Sequence, residues 1–149
     1  MKTAYASLVL SLCVAGGAMA GAAQTPEAKC PVMLHQIALN YNHEGGRSVP
    51  RLKVWFENLA GKQISTVTFS LSVLDSGGYP RPYPHNLKSR VSLDSGKKKE
   101  STWELAAESV DMHGTGETVA VTRIEFADTS TWIDDGSESC ALTVDFHPK

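Results

Sequence analysis

The chain has 149 residues, 42% of them hydrophobic and 20% charged, with a formal net charge of −2. That composition is too apolar for an intrinsically disordered polypeptide, and the charge excludes a strongly basic nucleic-acid binder. A single domain of this size removes roughly two-thirds of its unfolded surface from water, enough for one core without a structural metal.

Lys2 precedes an almost wholly apolar stretch, residues 4–14, and a tract of small residues follows at 15–23. This order predicts a secretory signal peptide over residues 1–23. Cleavage fits the small-x-small pattern after Ala20 or after Ala23, and Ala23 is preferred because Gln24 opens a polar segment. The apolar stretch falls short of the ~20 residues that a spanning helix needs, and the mature chain, residues 24–149, offers no second candidate span. Cys13 belongs to the removed segment, and Leu12 stands where a lipidated cysteine would follow a small residue.

Cys30 and Cys140 then remain in a chain that matures in an oxidising compartment, secreted or periplasmic, and they are expected to pair. On the chain-entropy account, closing a loop of about a hundred residues stabilises by up to roughly 4.7 kcal/mol. A free reactive thiol would need a CxxC spacing or a basic neighbour, and Cys140 has neither.

Taken in chain order, Ile37, Leu39 and Tyr41 alternate as one strand, and Leu52, Val54 and Phe56 as the next. Asn58 to Lys62, with Gly61, predicts the turn that follows. Val67, Phe69, Leu71 and Val73 then alternate with threonines and serines, which makes one face core and the other wet. Further strands are predicted at Leu87-Val91-Leu93, Trp103-Leu105, Val119-Val121 and Cys140-Leu142-Val144-Phe146. Val119 and Val121 are odd whereas Ile124 and Phe126 are even, so a continuing strand needs a β-bulge near Thr122 and Arg123. Leu-Asp-Ser-Gly closes two strands, at Leu74 to Gly77 and Leu93 to Gly96, as turn chemistry. Only residues 106–108 suggest a short helical turn. About seven antiparallel strands with one polar face each predict an all-β, immunoglobulin-like two-sheet sandwich with Greek-key connections, with an up-and-down barrel as the alternative.

The segment from Val54 to Ile64, with its Asn58-x-x-Gly61-Lys62 turn, and the later Val73-Leu74-Asp75 with Gly77-Gly78, resembles the central hairpin of FxLYD-type, immunoglobulin-like domains of bacterial envelope proteins. The resemblance covers about a fifth of the mature chain. It implies a sandwich module without known catalysis and carries no functional residues with it.

Catalytic and nucleotide-binding motifs are absent: there is no G-x-S-x-G, H-E-x-x-H, P-loop or G-x-G-x-x-G. The acidic run at 134–138 lacks EF-hand spacing and is expected to be a solvated turn. Lys97, Lys98 and Lys99 suit a solvated hairpin that discourages edge pairing. Met33 with His35, and Met112 with His113, would suit copper if the two pairs converged. The most distinctive local composition is residues 78–85, where three prolines alternate with Tyr79, Arg81 and Tyr83. Proline stiffens such a loop while Tyr and Arg supply hot-spot chemistry, so the tract reads either as a protein or glycan contact or as a stiff crossover between sheets. Trp55 lies on the polar parity of its strand, where it would stack on a sugar or partner, or cover the sandwich edge. The function these residues predict is an exported, non-enzymatic interaction module, needing no cofactor, that binds an envelope or extracellular protein or glycan. A copper-binding protein on the same scaffold is the alternative.

Overall fold

The computed structural model describes residues 30–146, so the signal peptide expected over 1–23 and its cleavage point lie outside the described residues. Nine strands follow one another: β1 Val32–Glu44, β2 Arg47–Asn58, β3 Ile64–Leu74, β4 Pro80–Pro82, β5 Leu87–Leu93, β6 Lys98–Glu104, β7 Gly116–Phe126, β8 Thr131–Ile133 and β9 Ala141–Asp145. A single 3-10 turn, Ala107–Ser109, supplies the helical geometry, one residue beyond its expected start.

The strands form two antiparallel sheets, one of three strands in the order β1-β2-β6 and one of six built on β3 and β7. In the larger sheet β4 and β5 pair with β3, and β8 and β9 pair with β7. The chain changes sheet between β2 and β3, between β5 and β6, and between β6 and β7. These crossings make a Greek-key sandwich rather than an up-and-down barrel. The neighbours β1-β2-β6 and β3-β7-β9 repeat the A-B-E and C-F-G order of the immunoglobulin fold, with β5 bonded to β3 instead of β6. The two strands beyond the expected seven, β4 and β8, are only three residues each. β4 also corrects the crossover reading of residues 78–85: its prolines return along Ser72–Leu74 in the same sheet, and the sheet change comes one strand later.

Alternation fills the space between the sheets. Leu52, Val54 and Phe56 face Val67, Phe69, Leu71, Val119, Val121 and Ile124, all buried. Each such side chain contributes roughly 1.5–3 kcal/mol of transfer free energy. Phe69 meets Phe56 and Trp103 edge to face, with both centroid distances 5.4 Å.

The bulge expected near Thr122 is present: Thr68 pairs with Arg123 and Phe69 with Val121, so Thr122 is the supernumerary residue. It turns both Val121 and Ile124 inward. His35 does the same on β1, since Leu34 pairs with Phe56 but Gln36 with Trp55, and Val32 and Ile37 are both buried.

Asn58 anchors the first sheet change. It is fully buried, its Nδ2 donates to the carbonyls of Lys62 at 2.9 Å and Leu93 at 2.8 Å, and its Oδ1 accepts from Ala60 N at 2.9 Å. Its backbone amide donates to Lys97 at 3.0 Å and its carbonyl accepts from Gly96 at 2.7 Å, so one side chain and one peptide unit tie the β2–β3 turn to the β5–β6 turn. Along that flank Trp103 Nε1 donates to Lys88 O at 3.2 Å, closing β6 onto β5. The opposite flank, between β1 and β9, carries the Cys30–Cys140 disulfide, with a Cα–Cα distance of 5.3 Å.

Candidate functional site

The sheet β1-β2-β6 has an outer face set by parity. Because Leu52, Val54 and Phe56 point inward, Arg51, Lys53, Trp55 and Glu57 point out, and pairing places their neighbours in rows. Asn40, Arg51 and Glu104 form one row, Ala38, Lys53 and Thr102 the next, and Gln36, Trp55 and Glu100 the third. An open groove of about 680 Å³ runs over the first two rows, lined by Asn40, Tyr41, Asn42, Arg51, Lys53, Thr102 and Glu104. Trp55, partly exposed, stands one row beyond the groove.

Ion pairs cross this face. Arg51 Nη2 reaches Glu44 at 2.8 Å and Glu104 at 2.6 Å, and Lys53 lies 3.8 Å from Glu100. Glu57 receives His35 Nε2 at 2.7 Å and Lys98 at 3.7 Å. The lysines at 98 and 99 therefore open an edge strand rather than forming a free loop patch.

The second set of expected binding residues lies elsewhere. Asp75 organises the β3–β4 hairpin: its Oδ1 accepts from the amides of Gly77 and Tyr79, each at 2.9 Å, and its Oδ2 from Arg81 Nε at 3.0 Å. The Tyr79 amide, with Arg81 and Gly77, holds the Asp75 carboxyl below the usual carboxylate range. Tyr79 is 70% exposed at the tip, and Arg81 is exposed beside it. Tyr83 differs from both. It packs against the core, its hydroxyl accepts from Ala106 N at 3.1 Å, and its ring meets His85 edge to face at 5.7 Å. Trp55 and Tyr79 are on different sheets and towards opposite ends, since β3 runs back from the Asn58 turn and Tyr79 follows its far end.

The two Met-His pairs are also separated. Met33 pairs with Glu57 at the start of β1, whereas residues 112–113 follow Asp111, whose carbonyl accepts Tyr41 Oη at 3.2 Å. Eight residues of extended strand, about 26 Å, lie between Met33 and Tyr41. Among the described residues no three His, Cys, Asp or Glu side chains are grouped to hold a metal ion. In the acidic turn, Asp134 Oδ2 accepts from Gly136 N at 3.0 Å and Glu138 N at 3.3 Å, a turn stabilised by its own backbone.

Glu117 escaped sequence reasoning. It has the same odd parity as Val119 and Val121, which was the available signal, and it is fully buried with them. Its Oε1 accepts from Leu39 N at 3.1 Å, while Oε2 has no hydrogen-bond partner among the described residues. Burial pushes its pKa up to about 7, opposed by the Leu39 hydrogen bond. Tyr41, close by, has its phenol pushed up by burial and by Asp111 and Glu117.

No family model matches the chain, and no curated protein matches it. Several solved structures align with it to different extents. A hypothetical protein from Peptoclostridium difficile 630 superposes with a TM-score of 0.53 at 10% identity, over 73% of this chain and 89% of that one. The putative ApaA protein from Bordetella pertussis gives 0.41 at 12% identity, over 78% and 90%. Beta-glucosidase 3B from Thermotoga neapolitana gives 0.42 at 11% identity, over 76% of this chain but 16% of the enzyme. At 10% identity the first of these likenesses is one of fold alone.

Proposed function

We propose that the chain is an exported, non-catalytic binding module, secreted or periplasmic, that engages an envelope or extracellular component through the outer face of β1-β2-β6. The observation that carries this reading is Trp55: a large indole, partly exposed, in the middle of a sheet face whose other members are mostly amides, hydroxyls and paired ions. An aromatic ring in such a setting gains little from the core and is available to a partner. The disulfide across the β1–β9 flank supports an oxidising compartment. The central hairpin and the strand order support a place among the immunoglobulin-like, FxLYD-type modules of bacterial envelopes. Tyr79 and Arg81 form a second, smaller contact at the far hairpin, whereas Tyr83 serves packing.

Co-sedimentation with the insoluble envelope and matrix fraction of the host tests the reading. Trp55→Ala is expected to lower retention at least tenfold and Tyr79→Ala/Arg81→Ala about twofold. Equal retention of all forms would overturn the assignment. Mass spectrometry of the exported product should show a start at Gly21 or Gln24 and no free thiol.

A further inference from the structure

Resting on that reading of the outer face, we propose that its ligand is an uncharged polysaccharide, laid along β2 from the Asn40–Arg51–Glu104 row to Trp55. The distance fits a chain rather than a single ring: four residues of strand separate Arg51 from Trp55, about 14 Å.

Charge bookkeeping selects an uncharged ligand. In the groove and around Trp55 every cation is already held by carboxylates of the same face: Arg51 by Glu44 and Glu104, Lys53 by Glu100, Lys98 by Glu57. Arg47 stands on this face too, but two rows beyond Arg51 and outside the groove. An anionic polymer would have to break these pairs and would meet Glu44, Glu100 and Glu104 uncompensated. A cationic one would face Arg51 and Lys53.

The uncommitted groups are of another kind. Among the described residues no protein group bonds the side-chain amides of Gln36, Asn40 or Asn42. Each amide offers donors and an acceptor at once, and Thr102 adds a hydroxyl. Sugar hydroxyls present the same dual capacity. The flat indole of Trp55 complements the C–H face of a pyranose, which the amides cannot. A protein partner fits less well, because a protein interface needs a desolvated apolar centre, and the apolar members of this face, Trp55, Met33, Ala38 and Val49, are dispersed among amides, hydroxyls and paired ions.

Affinity electrophoresis of the intact exported protein tests the proposal, with gels containing hydroxyethylcellulose, glucomannan, xylan, laminarin or dextran, and polygalacturonate as the anionic comparison. At least one uncharged polymer is expected to retard the protein, with retardation unchanged by 0.5 M salt on the order expected for contacts without ion release. Trp55→Ala should weaken that binding at least tenfold, Trp55→Phe several-fold less, and Asn40→Ala/Asn42→Ala by several-fold. A thermal melt matching wild type excludes unfolding as the cause. Retardation by polygalacturonate alone, retardation abolished by salt, or retardation indifferent to Trp55 would each overturn the proposal. No retardation by any polymer would also overturn it, and if Trp55 still governed envelope co-sedimentation, the broader reading would stand with a different ligand.

Discussion

The Glu117 carboxyl reaches across the sandwich to accept the backbone amide of Leu39 at 3.1 Å, linking β7 of one sheet to the otherwise unpaired edge of β1 in the other. It shares the flank with the disulfide, so β1 is held by one covalent and one proton-sensitive link. Tyr41 and, through it, Asp111 face the carboxyl from β1 and the β6–β7 loop, and no cation is paired with it among the described residues.

Stability should therefore depend on pH in a defined direction. Glu117 rises from its ordinary 4.5 to about 7 in the folded state, so the native protein holds a proton that the unfolded chain has released between those values. Its stabilising contribution is complete below about 4.5, declines as pH rises through about 7, and is gone above. The full swing is up to about 3 kcal/mol. Urea melts from pH 4.5 to 8.5 should show this decline, and Glu117→Gln, which mimics the neutral acid, should flatten it and exceed wild type at pH 8. A wild-type profile that rises across the window would contradict the assignment.

The Cys30–Cys140 bridge closes a separation of 110 residues. Cys30→Ser/Cys140→Ser should lose about 2–5 kcal/mol, and reductant should lower the wild-type midpoint to that of the double variant without affecting the variant itself. Urea unfolding with and without reductant checks both.

Asn58→Ala would leave the Lys62 and Leu93 carbonyls and the Ala60 amide without their partner in a buried turn. The expected cost is about 2–4 kcal/mol, concentrated where the two sheet crossings meet. Hydrogen exchange should show faster opening of residues 59–63 and 94–97 than of β7.

Deleting Thr122 removes the supernumerary residue and leaves Val119, Val121, Ile124 and Phe126 on one unbroken alternation, with Arg123 and Val121 still opposite Thr68 and Phe69. The deletion should therefore keep a cooperative thermal transition, with a midpoint lowered by the lost contacts of Thr122 with Asp134 and Thr68. Loss of cooperative unfolding would contradict the assignment of Thr122 as the extra residue.

That bulge was legible because a change of parity leaves no other remedy in a strand that continues. The strands with clean alternation, above all 66–73, were legible for the same reason. β4 was not, because proline signals stiffness yet is tolerated at a sheet edge, and Pro80 and Pro82 occupy one. Trp55 could be placed on the polar parity but not among its neighbours, since cross-strand rows depend on register between segments up to sixty residues apart. Glu117 was passed over because a carboxylate at a core position contradicts pattern reading, although its spacing from Val119 was visible. The separation of Tyr83 from Tyr79 in role came only from tertiary contact with Ala106.

Hydroxyl-radical footprinting of the protein bound to its envelope fraction tests the central claim most directly, because exposed reporters mark separate regions: Trp55 on the outer face with Met33, at 46% exposure, one row from it, Tyr79 at 70% on the far hairpin and Met112 at 51% in the β6–β7 loop. Strong protection of Trp55, with Met112 and most of Tyr79 still oxidised, is the predicted result. Protection confined to Tyr79 and Met112, with Trp55 oxidised as in the free protein, would contradict the account.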